Sequence, residues 1–146
     1  MTSLAPRRRR SSVAARSRRA GTAWAAPQGM VLVVEDHDAV RASTEAVLRA
    51  GGFATVSAAD GISALDALRH RRVDMIVLDL GLPHLDGRGV LEALPRPVPV
   101  VVVSGFRDDT ESAIRARFGP RVVECLRKPV APHRLVAAAT AALAAG

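Results

Sequence analysis

Four polar side chains follow four apolar runs, either directly or after one intervening residue, and their types suit chemistry on a phosphoryl group. They are Asp36 after residues 31–34, Asp79 after residues 75–78, Ser104 after residues 98–103 and Lys128 after residues 122–126. A carboxylate can attack phosphorus and form an acyl phosphate. An ammonium and a hydroxyl can hold phosphoryl oxygens, whose negative charge is spread in the transition state. If the runs bring these side chains together, the sequence favours a phosphoryl-transfer site.

Lys128 is the only lysine, since twenty of the twenty-one basic residues are arginine. A compact ammonium on a flexible stem reaches into a cramped anionic pocket that the planar arginine fork cannot enter. The alternative is that this lysine escaped a compositional drift toward arginine and lies on a solvated surface. Lys128 alone does not decide between these two readings. The presence or absence of acidic residues around it decides.

Apolar runs alternate with segments of helical periodicity from residue 30 onward. Strands are predicted at residues 31–34, 53–57, 75–78, 98–103 and 122–126, and helices at 39–50, after Asp60, around 90–94, at 109–118 and at 131–144. Continuous apolar runs are typical of parallel strands that are buried on both faces. Strict alternation of strand and helix predicts an α/β sandwich with a parallel sheet.

Caps and apolar stripes set the expected faces of the first two helices. Asp38 is predicted to cap the first helix and Asp60 the second. The apolar stripes expected to face the core are Val40, Val47 and Leu48 in the first helix and Ile62, Leu65 and Leu68 in the second.

The expected fold is a flavodoxin-like (βα)5 three-layer sandwich with five parallel strands in the order 2-1-3-4-5. In open parallel sheets, ligands bind beyond the carboxyl ends of the strands, where the strand order reverses. Asp36, Asp79, Ser104 and Lys128 each stand at such an end, so this order predicts that the four side chains converge. A cluster of Glu35, Asp36 and Asp79 would need a neutralising cation, and Mg²⁺ prefers such oxygen ligands.

Four motifs in order resemble the receiver domain of the two-component response-regulator family over residues 30–146. They are Val33-Val34-Glu35-Asp36, Val77-Leu78-Asp79-Leu80-Gly81-Leu82-Pro83 with Asp86-Gly87, Val102-Val103-Ser104-Gly105, and Lys128-Pro129. Each motif is weak alone, whereas the set at these spacings is highly specific. The resemblance implies that a histidine kinase or phosphotransfer protein transfers a phosphoryl group to Asp79.

The resemblance also implies roles for the surrounding residues. It implies Mg²⁺ bound directly by Asp36 and Asp79 and by the backbone carbonyl of Gly81, with Glu35 often in contact through water. Lys128 would hold a phosphoryl oxygen, Ser104 would donate a hydroxyl hydrogen bond to the phosphate, and the peptide bond before Pro129 would be cis.

Some residues near the motifs depart from the family pattern or favour an ordinary role. Cys125 stands where receivers often place an aromatic residue, so relay through that side chain is in doubt, and it is expected to be a small buried hydrophobe. Phe106 is hypothesised to slow hydrolysis of the acyl phosphate. His37 and His84 flank the site in sequence and could tune it or meet the metal. Exposed positions are favoured for both, since a hard oxygen-liganded Mg²⁺ site has little use for imidazole.

The charge is uneven along the chain. Residues 1–29 hold seven arginines and no acid, whereas residues 30–146 hold fourteen basic and fourteen acidic residues. Residues 1–29 have the composition of a disordered extension; alternatively, translation starts at Met30 and the extension is a gene-model artefact. An organellar transit peptide and binding to nucleic acid or an anionic membrane are weaker readings. Residues 30–146 have the size of one domain.

The expected protein is a stand-alone cytoplasmic receiver with no DNA-binding output domain and no membrane span. Its only chemistry would be its own phosphorylation and dephosphorylation, switching contacts with an unknown downstream protein. One rival is a small aspartyl-phosphate phosphohydrolase, which usually carries a second Asp where this chain has Gly81. Another is a carrier of flavin mononucleotide, disfavoured because residues 30–146 have no Trp or Tyr. A receiver-like scaffold that is not phosphorylated remains a third reading.

Overall fold

A computed structural model describes residues 26–105 and 108–145. The strands are β1 (Met30–Val34), β2 (Ala54–Ala58), β3 (Met75–Leu78), β4 (Val100–Ser104) and β5 (Val122–Arg127). The helices are α1 (Asp38–Ala50), α2 (Gly61–His70), α3 (Gly87–Glu92), α4 (Asp108–Phe118) and α5 (Pro132–Ala145), with a 3₁₀ turn at Gly119–Arg121. All strand pairs are parallel and the order is β2-β1-β3-β4-β5, which confirms the predicted topology.

Two apolar cores lie on the two faces of the sheet, as a three-layer sandwich requires. In β1, Val31 and Val33 pack toward α1 and α5, whereas Leu32 and Val34 pack toward α2, α3 and α4. This alternation follows from the period of two along a strand. Because β1 and β3 are buried on both faces, their sequences are unbroken apolar runs, which is why they could be predicted.

The first turns of α1 and α2 differ in part from the prediction. Asp60 caps α2 as predicted, since its side chain accepts a 2.7 Å hydrogen bond from the amide of Ser63. Asp38 does not cap α1, because the helix begins one residue earlier than expected. His37 has the extended backbone of the capping position and makes no capping hydrogen bond with its side chain. The carboxylate of Asp38 instead accepts from the guanidinium of Arg41 at 2.7 Å.

Val40 and Ile62 were predicted to face the core, and this was wrong. Val40 is 41% exposed and Ile62 is 62% exposed, whereas Leu48, Leu65 and Leu68 are buried as expected. Both exposed residues lie in the first turn of a helix, next to the carboxyl edge of the sheet. Helical periodicity identifies the apolar side of a helix, but it does not show how far the sheet extends beneath it.

Candidate functional site

Hydrogen bonds continue one residue past the strand ends and fix the backbone of the site. The amide of Asp79 donates to the carbonyl of Val34 at 3.0 Å, and the amide of Lys128 donates to the carbonyl of Ser104 at 3.0 Å. Glu35 is held in the same way, through a 3.1 Å bond from its amide to the carbonyl of Ala58. The sheet itself therefore sets the positions of these residues.

Lys128 forms the centre of the site. Its ammonium donates to Glu35 Oε1 at 2.7 Å and to Asp79 Oδ2 at 2.9 Å. The side chains of Glu35 and Asp79 are 5% and 10% exposed, and that of Lys128 is 32% exposed. A single ammonium thus bridges two buried carboxylates, as the anionic-pocket reading expects and the solvated-surface reading does not.

The three bridged groups shift one another's protonation. Burial and the nearby carboxyl group of Asp79 raise the pKa of Glu35, against the opposing effect of Lys128. Burial also acts to raise the pKa of Asp79, but hydrogen bonding to Glu35, to the amide of Gly81 and to Lys128 outweighs it and lowers that pKa. Burial acts to lower the pKa of Lys128, and the two carboxylates more than offset it, so that this pKa is raised. Asp79 and Lys128 are therefore held in their charged forms.

Asp36 and His37 extend the acidic site toward solvent. Side-chain atoms of Glu35, Asp36 and His37 lie within 4.8 Å of one another and could together hold a metal ion. The amide of Asp36 donates to Glu35 Oε2 at 3.0 Å, at the point where the chain leaves β1 and enters the loop before α1. His37 and His84 are exposed, as predicted. His37 Nδ1 lies 3.4 Å from Asp36 Oδ1, so this exposed imidazole adjoins the acids.

Gly81 contacts Asp79, and Ser104 lines a cleft next to Gly81. The amide of Gly81 donates to Asp79 Oδ1 at 3.0 Å, so the observed contact uses the amide and the predicted contact uses the carbonyl. Ser104 lines a cleft of about 280 Å³ together with Gly81 and Arg88. Among the described residues, no hydrogen bond joins the Ser104 hydroxyl to Asp79. The predicted roles of Gly81 and Ser104 thus stay predictions.

A second, larger cavity is lined by Asp79 itself. Its volume is about 550 Å³, and Glu35, Asp79 and Lys128 share its wall with mostly apolar residues of α1 and of the segment after β5. Asp79 therefore lines this cavity, although its side chain is only 10% exposed.

The donor set suits a divalent cation. Glu35, Asp36 and Asp79 offer hard carboxylate oxygens, the ligand type that Mg²⁺ prefers. Three carboxylates against one ammonium leave two negative charges, which a divalent cation would balance.

Two arginines at this edge were not identified from the sequence. Arg41 donates to the backbone carbonyl of Glu35 at 3.0 Å and so ties α1 to the end of β1. Arg88 lines the cleft beside Ser104. Arg41 follows Glu35 by six residues across a loop, and Arg88 follows a turn, so neither spacing carries a signal.

The remaining predictions near the site have mixed outcomes. The peptide bond between Lys128 and Pro129 is cis, as the resemblance implied. Cys125 is half-buried and packs against the core that contains α2, α3 and α4, and burial raises the pKa of its thiol. Its predicted role as a small hydrophobe is thus supported, although it is less buried than expected. Phe106 and residues 1–25 lie outside the described residues.

A parallel sheet in this order, with acids after strands one and three and a lysine after strand five, defines a phosphoacceptor domain of the receiver class. The family model for the response regulator receiver domain matches residues 31–140, and the chain belongs to this family. It is therefore a receiver domain of the kind that acts in two-component signalling.

Named relatives support this assignment. The chain is 40% identical over 118 residues to the transcriptional regulatory protein PrrA of Mycobacterium tuberculosis, covering 77% of this chain and 49% of that protein. It is 34% identical over 115 residues to the DNA-binding response regulator MtrA of Mycolicibacterium paratuberculosis, covering 77% and 50%. The chain thus spans about half the length of these relatives.

A solved structure agrees with both the fold and the family. The receiver domain of the Francisella response regulator 1452 is 26% identical, with a TM-score of 0.70 over 82% of this chain and 100% of that one. Within residues 26–105 and 108–145, no helix is both long enough and apolar enough to cross a membrane.

Proposed function

We propose that Asp79 is the residue that receives the phosphoryl group. The observation that carries this proposal is the bridge from Lys128 to both Glu35 and Asp79, at 2.7 and 2.9 Å. A buried carboxylate that is held ionised beside an ammonium suits nucleophilic attack on phosphorus. The cavity of about 550 Å³ that Asp79 lines gives a phosphodonor room to approach it.

The transfer exchanges one bond for another. A carboxylate oxygen of Asp79 attacks phosphorus, the bond from phosphorus to the donor histidine nitrogen breaks, and the electron pair stays on that imidazole. Water later attacks the acyl phosphate, releases inorganic phosphate and restores the carboxylate. Lys128 holds a phosphoryl oxygen as negative charge spreads over the group, and the hydroxyl of Ser104 donates to another.

The acids fit Mg²⁺ as the cofactor. Glu35, Asp36 and Asp79 would hold it, with the backbone of Gly81 as a further oxygen ligand. When bound, Mg²⁺ supplies positive charge that neutralises the carboxylates and the incoming phosphoryl oxygens.

The phosphodonor would be a histidine kinase or a histidine phosphotransfer protein in the cytoplasm. Val40, 41% exposed at the start of α1, also lines the 550 Å³ cavity beside Asp79. An apolar rim around a charged site suits a partner that presents one histidine on an otherwise apolar surface. The phosphorylated domain then changes its contacts with a downstream protein, and its own phosphorylation and dephosphorylation are its only chemistry.

Intact mass spectrometry after incubation with acetyl phosphate tests this proposal. The protein should gain about 80 Da with Mg²⁺ and not with EDTA, because one phosphoryl group is added. Asp79→Asn should abolish the gain. Asp86→Asn is the matched control, since Asp86 lies in the same loop and caps α3 through the amide of Gly89, a contact that an asparagine can keep.

Three results would contradict the proposal. The protein could show no mass gain under any condition, which would favour an unphosphorylated scaffold. Asp79→Asn could gain mass as the unsubstituted protein does. Steady turnover of small phosphate esters, lost in Asp79→Asn, would instead indicate a phosphohydrolase.

A further inference from the structure

His37 brings an imidazole to the acids of the candidate site. Its Nδ1 lies 3.4 Å from Asp36 Oδ1. Ligand atoms of Glu35, Asp36 and His37 all lie within 4.8 Å of one another. Among the described residues, no other group of three or more acids, histidines or cysteines comes so close together. This part of the site thus offers a cation one nitrogen ligand beside two carboxylates.

The spacing of the two nearest ligand atoms matches a tetrahedral metal site. Zn²⁺ binds imidazole nitrogen and carboxylate oxygen at about 2.0–2.2 Å, which places neighbouring ligands of a tetrahedron about 3.4 Å apart. The observed distance between His37 Nδ1 and Asp36 Oδ1 is 3.4 Å. The side chain of His37 is 75% exposed, so its ring can turn toward an incoming ion without disturbing the core.

The charge around these side chains favours a cation, although they lie at the start of α1. The N-terminus of a helix opposes a cation with a partial charge of about half a proton. Glu35 and Asp36 together carry two negative charges. The ammonium of Lys128 donates to Glu35 at 2.7 Å, but it is shared with Asp79. The carboxylates therefore outweigh the helix.

The types of ligand distinguish this group from an all-oxygen site. Carboxylate, carbonyl and water oxygens suit Mg²⁺, whereas imidazole suits zinc, copper, iron and nickel. Glu35, Asp36 and Asp79 form the first kind of donor set. Glu35, Asp36 and His37 form the second.

We propose that Glu35, Asp36 and His37 bind a divalent transition-metal ion of the Zn²⁺ type. The inference rests on the proposed function, because Glu35 and Asp36 are also proposed ligands of Mg²⁺. Since both ions need these two carboxylates, one ion excludes the other. A transition-metal ion held by His37 therefore competes with the Mg²⁺ that assists transfer to Asp79.

The alternative is that His37 and Asp36 form only an exposed contact between an imidazole and a carboxylate. The end of α2 provides such a contact, because His70 Nδ1 lies 3.2 Å from Asp66 Oδ1. Within the described part of the chain, no third acid, histidine or cysteine completes a group there. His70 is therefore a matched control, with a similar pair of atoms and no third ligand.

Binding of Co²⁺ to the full chain, expressed without a histidine tag, tests the proposal. Co²⁺ occupies sites of this kind and absorbs visible light, whereas Zn²⁺ and Mg²⁺ do not. Residues 1–29 add no acid, histidine or cysteine. The variants are His37→Asn and Asp36→Asn, and the controls are His70→Asn and Asp38→Asn. Asparagine is favoured at the capping position that His37 occupies, so His37→Asn should keep the fold.

The unsubstituted protein should give a Co²⁺ absorption that saturates. His37→Asn and Asp36→Asn should each weaken Co²⁺ binding by roughly 100-fold, because even a residue that only supports a metal ligand is worth about 10–100-fold. His70→Asn and Asp38→Asn should bind Co²⁺ as the unsubstituted protein does. An equal concentration of Zn²⁺ should displace Co²⁺, whereas an equal concentration of Mg²⁺ should not.

Three results would overturn the proposal. The unsubstituted protein could give no Co²⁺ absorption. His37→Asn could bind Co²⁺ as tightly as His70→Asn, which would mean that the imidazole is not a ligand. Mg²⁺ could displace Co²⁺ as readily as Zn²⁺ does, which would mean that carboxylates alone hold the ion.

The mass gain of the unsubstituted protein with acetyl phosphate and Mg²⁺ is measured in parallel. A mass gain without a Co²⁺ absorption that depends on His37 would refute this inference and leave the proposed function intact. A Co²⁺ absorption that depends on His37, without a mass gain under any condition, would refute the phosphoacceptor role alone.

Discussion

Replacing Lys128 by Met should destabilise the metal-free domain. The change keeps most of the apolar stem and removes the ammonium that donates to Glu35 and Asp79. The two carboxylates would then be left in a buried site, with side chains only 5% and 10% exposed. Each would lose a charge-assisted hydrogen bond and face a like charge without compensation.

The magnitude follows from the burial of the three groups. Removing one partner of a fully buried ion pair costs about 3–5 kcal/mol. The side chain of Lys128 is 32% exposed, so solvent screens part of its interaction and we expect a loss of about 2–3 kcal/mol. Since domains of this size unfold with a free energy of about 5–15 kcal/mol, such a loss is large. Lys128→Arg keeps the charge and should lose less.

Urea unfolding at neutral pH in EDTA measures this effect without a cation that could replace the ammonium. With a slope of about 1–3 kcal/mol per molar urea, the midpoint should fall by roughly 0.7–3 M. The control is Arg134→Met, which removes an exposed cation from α5 and should change stability by about 0.5 kcal/mol or less. If Lys128→Met shifted the midpoint no more than this control, the ammonium would not stabilise the acid pair.

Other predictions concern the frame that holds the site. Asp60→Ala should cost about 1 kcal/mol, because it removes the cap on the amide of Ser63. That hydrogen bond lowers the pKa of Asp60 in the folded protein below its value in the unfolded chain. The ionised cap therefore adds its full share to the free energy of unfolding at pH values above the unfolded-state pKa. That share is lost as pH falls through the folded-state pKa. Asp60→Asn should keep the cap without this pH dependence, as paired urea titrations at neutral and acidic pH would show. Arg96→Ala should cost about 1–2 kcal/mol, since its guanidinium donates to three backbone carbonyls near the end of α2, and no change in midpoint would contradict this. Gly61→Ala should lower the melting temperature although alanine favours helix, because its Cβ would lie 2.2 Å from the carbonyl oxygen of Leu85; an unchanged melting temperature would refute the clash.

The fold could be predicted where a local signal and the global arrangement agree. Residues 75–78 form a strand that can only be buried on both faces, and the structure has β3 at these residues. Asp60 precedes an apolar stripe and caps it. Asp38 is also an Asp at the predicted start of a helix, yet it does not cap α1. Its carboxylate accepts a hydrogen bond from Arg41, and His37 occupies the capping position. The type of a residue predicts that it can cap a helix. Whether another side chain binds its carboxylate instead depends on the folded structure.

The site shows the same division. The positions of Glu35, Asp79 and Lys128 at strand ends could be predicted, because the order of a parallel sheet determines which ends are neighbours. The partners of their side chains could not. Glu35 and Lys128 are ninety-three residues apart, and only the folded structure brings their charged atoms to 2.7 Å. Arg41 and Arg88 escaped prediction because both lie in the first turn of a helix, where no periodic pattern marks them.

The shared ammonium also bears on how the domain would respond to phosphorylation. In the proposed transfer, Lys128 turns from Glu35 and Asp79 toward a phosphoryl oxygen, which loosens the bridge between strands one and five. The backbone of Lys128 remains hydrogen-bonded to Ser104 at the end of β4, so movement of one strand end is coupled to the other. Cys125 pairs in register with Val102 of β4, without the bulk of an aromatic side chain. A response relayed from Lys128 to the outer strands would therefore pass mainly through the backbone of β4 and β5.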